Sequence, residues 1–167
     1  MGTYAVQLAK AFGAAVTGVC STSKVNLVRA LGADEVIDYT REDFTDGTRQ
    51  FDLILDTAGR RPLSQLRRAL TPQGTLVIGG GEGGDRWLGG FQRQIFAPVR
   101  SLFTEQKLLG LISKERQQDL LTLRDLIEAG KLTPVIDRTY PLRNAPQAIR
   151  YLEQGLARGK VVLTVSN

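Results

Sequence analysis

The chain has 167 residues, of which 42% are hydrophobic and 23% are charged, and its formal net charge is +5. This composition is typical of a globular domain with an apolar core, and no apolar run approaches the roughly 18 residues that a membrane-spanning helix needs. The chain has one cysteine, Cys20, and no histidine, which excludes an internal disulfide and a zinc-ligand cluster within it. We therefore expect one cytoplasmic domain over residues 1–167 that holds no metal.

The positive charge is scattered along the chain. Basic residues occur singly or in short doublets such as Arg60-Arg61, and no aromatic residues interleave with them. A nucleic-acid surface that stacks bases needs such aromatic residues. The sequence therefore favours a solvated basic surface over a nucleic-acid partner.

Helix-like segments alternate with short apolar runs along the chain. The predicted helices, most of them followed by glycine or proline, are Thr3 to Phe12, Lys24 to Leu31, Leu63 to Leu70, Lys114 to Ala129 and Pro146 to Glu153. The predicted strands are Ala15 to Cys20, Glu35 to Ile37, Leu53 to Asp56, Thr75 to Ile78, Leu108 to Ile112, Val135 to Ile136 and Val161 to Val165. This alternation predicts an α/β fold with a doubly wound, Rossmann-like parallel sheet.

The first predicted element is a helix, whereas dinucleotide-binding folds open with a strand and a glycine-rich turn. In those folds the amides at the start of the first helix receive the pyrophosphate, a role that falls here to Gly2 and Thr3. We therefore expect a sheet that lacks its first strand. That strand lies at the centre of such sheets, so we also expect a poorly stable or aggregating chain.

Five segments recur in the order and spacing of a known family: residues 2–14, 16–22, 31–39, 51–59 and 155–162. Together they resemble the quinone oxidoreductase branch of the medium-chain dehydrogenase/reductase family, which also contains zinc-type alcohol dehydrogenases. The resemblance covers nearly the whole chain. It implies the C-terminal, cofactor-binding part of an oxidoreductase whose GroES-like catalytic domain is absent, and a truncated or misassigned start at Met1.

That resemblance implies an activity for the full protein. Such enzymes transfer hydride between a nicotinamide cofactor and an alcohol, carbonyl, enone or quinone. We expect this chain to be inactive alone, and we name no catalytic residue because its tyrosines, lysines and carboxylates show no catalytic spacing. A non-catalytic nucleotide-binding or interaction module on the same fold is the alternative. A methyltransferase is disfavoured, since the chain lacks that class's glycine-rich loop and its acidic residue after the second strand.

The residues after the first predicted strand influence the choice of cofactor. This strand corresponds to the second strand of a complete dinucleotide-binding fold. An acidic residue at that strand end accepts hydrogen bonds from the ribose of NAD and repels the 2′-phosphate of NADP. Here Cys20 is followed by Ser21, Thr22, Ser23 and Lys24, which supply hydroxyls, amides and an ammonium suited to phosphate. The sequence therefore favours NADP(H) over NAD. Helix capping by Thr22 or Ser23, with Lys24 solvated, is the structural alternative, and the two roles are compatible.

The resemblance implies further cofactor contacts. They are Tyr39 near the adenosine phosphate, Gly59 near the ribose, Gly80 and Gly81 along the cofactor's path, Leu111 near the nicotinamide, and Lys160. Two of these residues keep a structural alternative: the Tyr39 ring packs against a helix, and the Lys160 segment only turns the chain into its last strand. The glycine run 79–84 is a binding-loop candidate or a solvent-exposed linker. In related enzymes the edge strand pairs across a two-fold axis, so Leu108 to Ile112 is a candidate homodimer edge.

Overall fold

The computed structural model describes residues 1–59, 61–79, 105–111, 114 and 116–165. Gly80, Gly81 and Ile112 lie outside the described residues. The chain divides into two units, one formed by Met1–Asp38 with Arg116–Asn167 and the other by Tyr39–Glu115. Within the described ranges, no helix combines the length and the apolar character needed to cross a membrane.

Helices and strands alternate as the sequence predicts. In chain order they are α1 (Gly2–Ala11), β1 (Thr17–Cys20), α2 (Val25–Ala30), β2 (Glu35–Asp38), β3 (Phe51–Asp56), α3 (Leu63–Arg68), β4 (Leu70–Ile78), β5 (Lys107–Gly110), α4 (Gln117–Glu128), β6 (Ile136–Pro141), α5 (Ala145–Glu153) and β7 (Lys160–Thr164). Two short 3₁₀ turns, Thr22–Lys24 and Leu142–Asn144, precede α2 and α5. The chain turns after α1 and α2 at Gly13 and Gly32, whose positive φ values of 82° and 96° suit glycine.

Every pairing among the described strands is parallel. β1 pairs with β2, β3 with β4 and β4 with β5, and β6 pairs with β7. Within the part of the chain that the structure describes, β1 bonds only to β2, and β3 only to β4. The predicted parallel α/β fold is confirmed.

One apolar cluster organises the unit that contains β3, β4 and β5. Its buried members are Leu66, Leu70, Leu76, Ile78 and Leu108, and Phe44, Ile54 and Leu63 pack against them. Burying a leucine or isoleucine side chain contributes about 1.5 to 3 kcal/mol relative to leaving it in water. Because most of these side chains come from α3, β3, β4 and β5, the cluster packs the helix against the three strands.

In the other unit, close packing and one buried amide hold α1 and α2 in place. A side chain at Gly18 in β1 would overlap Val28 of α2, so the glycine allows that helix to approach the strand closely. The Gln7 amide nitrogen donates to the carbonyls of Thr3 (2.9 Å) and Thr133 (3.0 Å), and its oxygen accepts the Thr133 amide (2.8 Å). The buried polar group is thus well hydrogen-bonded, as interior polar groups require.

Several predicted boundaries are wrong: β4, for example, begins at Leu70 and not at Thr75. Two further differences have a clear physical reason. The helix predicted to reach Leu70 ends at Arg68, because the Phe51 amide donates to the Ala69 carbonyl (2.8 Å) and Leu70 already pairs with β3. The strand predicted at Val135 to Ile136 instead runs from Ile136 to Pro141. Its polar residues are stabilised by pairing with β7, and the Asp137 carboxylate accepts the Tyr151 hydroxyl (2.8 Å).

Candidate functional site

The carboxyl ends of β1 and β2 form the first candidate region, which we call the β1–β2 edge: residues 20–24 with Asp38. The two strands are in parallel register, with Cys20 opposite Asp38. Ser21 is extended, and the Lys24 amide donates to the Ser21 carbonyl (2.8 Å), closing the 3₁₀ turn over Thr22–Lys24. The structure therefore brings four of the predicted cofactor ligands together on one tight turn: Ser21, Thr22, Ser23 and Lys24.

The capping role considered for Thr22 and Ser23 is not the one observed. The N-cap positions of the 3₁₀ turn and of α2 are Ser21 and Lys24, and neither makes a side-chain cap hydrogen bond. The Thr22 hydroxyl instead donates to Asp38 Oδ2 at 2.6 Å.

Asp38 is a residue of this region that the sequence analysis missed. An acidic residue was sought at the end of β1, where Cys20 stands. The carboxylate arrives from the neighbouring strand instead, because parallel register places Asp38 beside Cys20. The sequence analysis ended this strand at Ile37. Extending it by one residue would have placed the acidic Asp38 at the carboxyl end of the strand.

Charges of both signs influence this edge. Burial raises the pKa of the Cys20 thiol above its usual value, and the nearby Asp38 carboxylate raises it further, whereas Lys24 opposes the shift. A carboxylate and an ammonium therefore both act electrostatically on one buried side chain.

The start of α1 is the second candidate region. The first amides of a helix lack intrahelical acceptors and attract anions. Gly2 is exposed, and a side chain there would meet nothing within 4 Å. The Lys160 ammonium lies 5.3 Å from the centre of the Tyr4 ring, so Lys160 contacts a side chain of the first turn of this helix.

The carboxyl ends of β3, β4 and β5 form the third region, the β3–β5 edge: Asp56, Gly59, Gly79 and Leu111. The Asp56 carboxylate accepts the amides of Ala58 (3.3 Å) and Gly59 (2.9 Å), shaping a turn in which Gly59 has a φ of 70°. The Gly79 amide donates to the Asp56 carbonyl (2.9 Å). Leu111 is 47% exposed, and its Cδ2 lies 3.4 Å from the position of a Cβ at Gly79. Gly59 and Leu111, both predicted, thus lie on one edge.

Two predicted features remain to be placed. Tyr39 directly follows Asp38 and is 42% exposed, which leaves its ring accessible to a ligand. Among the residues that the structure describes, no group of three histidine, cysteine or acidic side chains could hold a metal ion.

Hydroxyl and ammonium donors, an exposed helix start and a glycine-lined edge are the groups that receive phosphates and ribose in dinucleotide sites. The residues present therefore fit a nicotinamide dinucleotide.

Comparison with known proteins agrees with this chemistry. Residues 31–163 match the model of the zinc-binding dehydrogenase family. The mitochondrial NAD(P)H oxidoreductase RTN4IP1 of Mus musculus is 32% identical over 195 residues, which cover 99% of this chain and 45% of that protein. The chloroplast envelope quinone oxidoreductase homolog of Arabidopsis thaliana is 28% identical, covering 98% of this chain and 49% of that protein.

A solved structure extends the likeness to the fold. The quinone oxidoreductase from Coxiella burnetii superposes with a TM-score of 0.82 at 28% identity, over 99% of this chain and 49% of that one. The chain thus spans about half the length of these relatives. The resemblance seen in the sequence is confirmed: the chain has the Rossmann-like fold of the medium-chain dehydrogenase/reductases and belongs to the zinc-binding dehydrogenase family.

Proposed function

We propose that this chain binds NADP(H), and that the protein to which it corresponds transfers hydride between that cofactor and an alcohol, carbonyl, enone or quinone. The observation that carries the proposal is the turn over Ser21, Thr22, Ser23 and Lys24 at the carboxyl end of β1, where α/β folds bind the adenosine ribose. Lys24 supplies a cation and the turn supplies hydroxyls, the groups that receive a phosphate.

In this proposal two regions of the unit that contains β1 and β2 bind the adenosine and pyrophosphate parts of the cofactor. The β1–β2 edge takes the adenosine ribose and its phosphate. The exposed amides at the start of α1, with Lys160 nearby, take the pyrophosphate. Gly59 and Leu111 on the β3–β5 edge stay candidate cofactor contacts, as the family resemblance implies.

The cofactor itself supplies the hydride, and the chain's own residues bind and orient it. Within the described ranges we assign no side chain to proton transfer. Substrate contacts are therefore proposed to come from the rest of the full-length protein.

Calorimetric titration of the purified chain with NADPH and then NADH tests the binding proposal. We expect both to bind, with NADPH the tighter ligand, and Lys24→Met to weaken NADPH more than NADH. Tighter NADH binding would contradict the cofactor preference, and no binding of either cofactor would contradict the proposed function.

An activity screen of the full-length protein over quinones, enones and aldehydes tests hydride transfer. Binding without hydride transfer would favour the non-catalytic module.

A homodimer through β5 is proposed as well. β5 pairs on one side with β4, and among the described residues no strand covers its other side. Leu109 and Leu111 on this segment are 50% and 47% exposed. An exposed strand edge with leucines favours pairing with a second copy. Light scattering on the chain checks this: a mass twice that of the monomer is expected, reduced by Leu109→Lys, and a monomer would contradict the proposal.

A further inference from the structure

The carboxylate of Asp38 stands where the proposed site must distinguish two cofactors. NADPH differs from NADH only in the 2′-phosphate of the adenosine ribose. Asp38 lies opposite Cys20 in parallel register and accepts the Thr22 hydroxyl at 2.6 Å. The acidic side chain of β2 is therefore bonded to the turn that would receive that phosphate.

The direction of this hydrogen bond limits what Thr22 can offer to a ligand. A threonine hydroxyl has one proton, and a carboxylate only accepts. With that proton directed at Asp38, the Thr22 oxygen can accept a hydrogen bond from a ribose hydroxyl. A phosphate needs donors, so it would have to break the bond to Asp38 before Thr22 could donate to it.

The charge of Asp38 also disfavours binding of the 2′-phosphate. The Asp38 carboxylate repels a phosphate, whereas the Lys24 ammonium attracts it. The two groups already shift the pKa of the Cys20 thiol in opposite directions, so both charges are effective at this edge. The preference between the two cofactors is thus a balance between Lys24 and Asp38.

We propose that Asp38 is a specificity-determining residue that limits the preference for NADPH, by holding the Thr22 hydroxyl and by placing a negative charge beside the phosphate position. The inference rests on the proposed function, since it concerns the same site. In this proposal Asp38 makes the site tolerant of both cofactors. Removal of the Asp38 charge should convert it into a strongly NADPH-selective one.

The main experiment measures NADPH and NADH affinities of the chain and of Asp38→Asn by calorimetry. We expect the ratio of NADPH to NADH affinity to rise about tenfold in Asp38→Asn, mostly through tighter NADPH binding. Glu35→Gln is the matched control, because it removes an equal charge at the opposite end of the same strand. Its affinity ratio should stay within about twofold of the unmodified chain.

A second pair of variants separates the hydroxyl from the charge. Thr22→Val deletes the donor but keeps the carboxylate, so the affinity ratio should not rise. Asn at position 38 keeps an oxygen that can accept the Thr22 hydroxyl, so Asp38→Asn tests the charge alone. Asp38→Ala removes the acceptor as well and releases the hydroxyl to donate to the phosphate, so adding Thr22→Val to Asp38→Ala should remove part of its gain. Asp38→Ser provides a second uncharged variant, and circular dichroism confirms that each variant is folded.

The outcomes distinguish the two proposals. If Lys24→Met lowers NADPH affinity but neither Asp38→Asn nor Asp38→Ser raises the ratio, the proposed function stands and the role of Asp38 is wrong. An equal rise in Glu35→Gln would also overturn that role, since only net charge would then matter. Absence of binding of either cofactor to the unmodified chain would overturn both proposals.

Discussion

The β1–β2 edge and the β3–β5 edge occupy the same position in their parallel sheets, yet they offer a ligand different chemistry. At the first edge Asp38 is bonded to a side-chain hydroxyl on the adjacent turn, next to Lys24. At the second edge the Asp56 carboxylate accepts two amides of its own turn. The comparison shows that a carboxylate at a strand end can bind a side chain of a neighbouring turn or shape the backbone of its own turn, depending on the donors it meets.

The difference extends to the surfaces around the two carboxylates. The first edge carries hydroxyls and charges of both signs, whereas the second has glycines and the half-exposed Leu111. We therefore propose electrostatic selection at the first edge, and selection by shape and apolar contact at the second.

The largest expected effect is the loss of stability when a methyl group is added at Gly18, near the first edge. The same change at Gly79, on the second edge, is the comparison. In Gly18→Ala the new Cβ overlaps Val28, and such overpacking costs about 1 to 3 kcal/mol in the free energy of unfolding. In Gly79→Ala the nearest atom is the flexible end of Leu111 at 3.4 Å, so we expect less than about 1 kcal/mol. Urea denaturation measures both. Val28→Ala should restore part of the loss in Gly18→Ala, and failure of that rescue would contradict the packing argument.

The next effect separates the roles of the two carboxylates. Asp56→Ala leaves the Ala58 and Gly59 amides without their acceptor and should cost about 1 kcal/mol in unfolding free energy. Asp56→Asn keeps the accepting oxygen and should lose less. Thermal unfolding gives the ranking, and calorimetry should show that neither variant changes the ratio of NADPH to NADH affinity. A changed affinity ratio would contradict the assignment of a purely structural role to Asp56.

A smaller effect is expected from the cation of the first edge. Lys24→Met should weaken NADPH binding about fivefold, because an exposed ammonium facing a phosphate contributes roughly 1 kcal/mol. NADH binding should change by less than about twofold. The dependence on salt is a second readout: the NADPH affinity of Lys24→Met should fall less steeply with ionic strength than that of the unmodified chain. Equal losses for both cofactors would place Lys24 elsewhere on the ligand.

The smallest effect is a shift in the titration of Cys20, the chain's single cysteine. Burial and then Asp38 raise the pKa of its thiol, and Lys24 lowers it. In Asp38→Asn the thiolate should therefore form at lower pH, and in Lys24→Met at higher pH. The pH dependence of thiolate absorbance reports these shifts. An unmoved titration in both variants would show that these charges do not reach the buried end of β1.

Sequence patterns predicted the fold better than the site. Short β-branched runs between amphipathic segments were sufficient to predict parallel pairing, and glycines after α1 and α2 gave their ends within one residue. The strand β6 was misplaced because Asp137, Arg138 and Thr139 look like loop residues, and only the partners Tyr151 and β7 make them a strand.

Ser21, Thr22, Ser23 and Lys24 could be chosen as candidate ligands from the sequence because they are consecutive, and their role in cofactor binding stays a prediction. Asp38 was missed because its place beside Thr22 depends on the register of two strands, which no local pattern shows. Gly59 and Leu111 lie at the carboxyl ends of the strands β3 and β5, and their contacts with the cofactor stay predictions. Gly80 and Gly81 stay predictions, since they lie outside the described residues.

The Gln7 amide also constrains how the chain folds. Its hydrogen bonds to Thr133 join positions separated by 126 residues, which makes this a contact of very long sequence range. Closing such a loop costs conformational entropy, so we expect α1 to make this contact late in folding. We therefore expect the Gln7 amide to find these partners only after the segment around Thr133 has been synthesised.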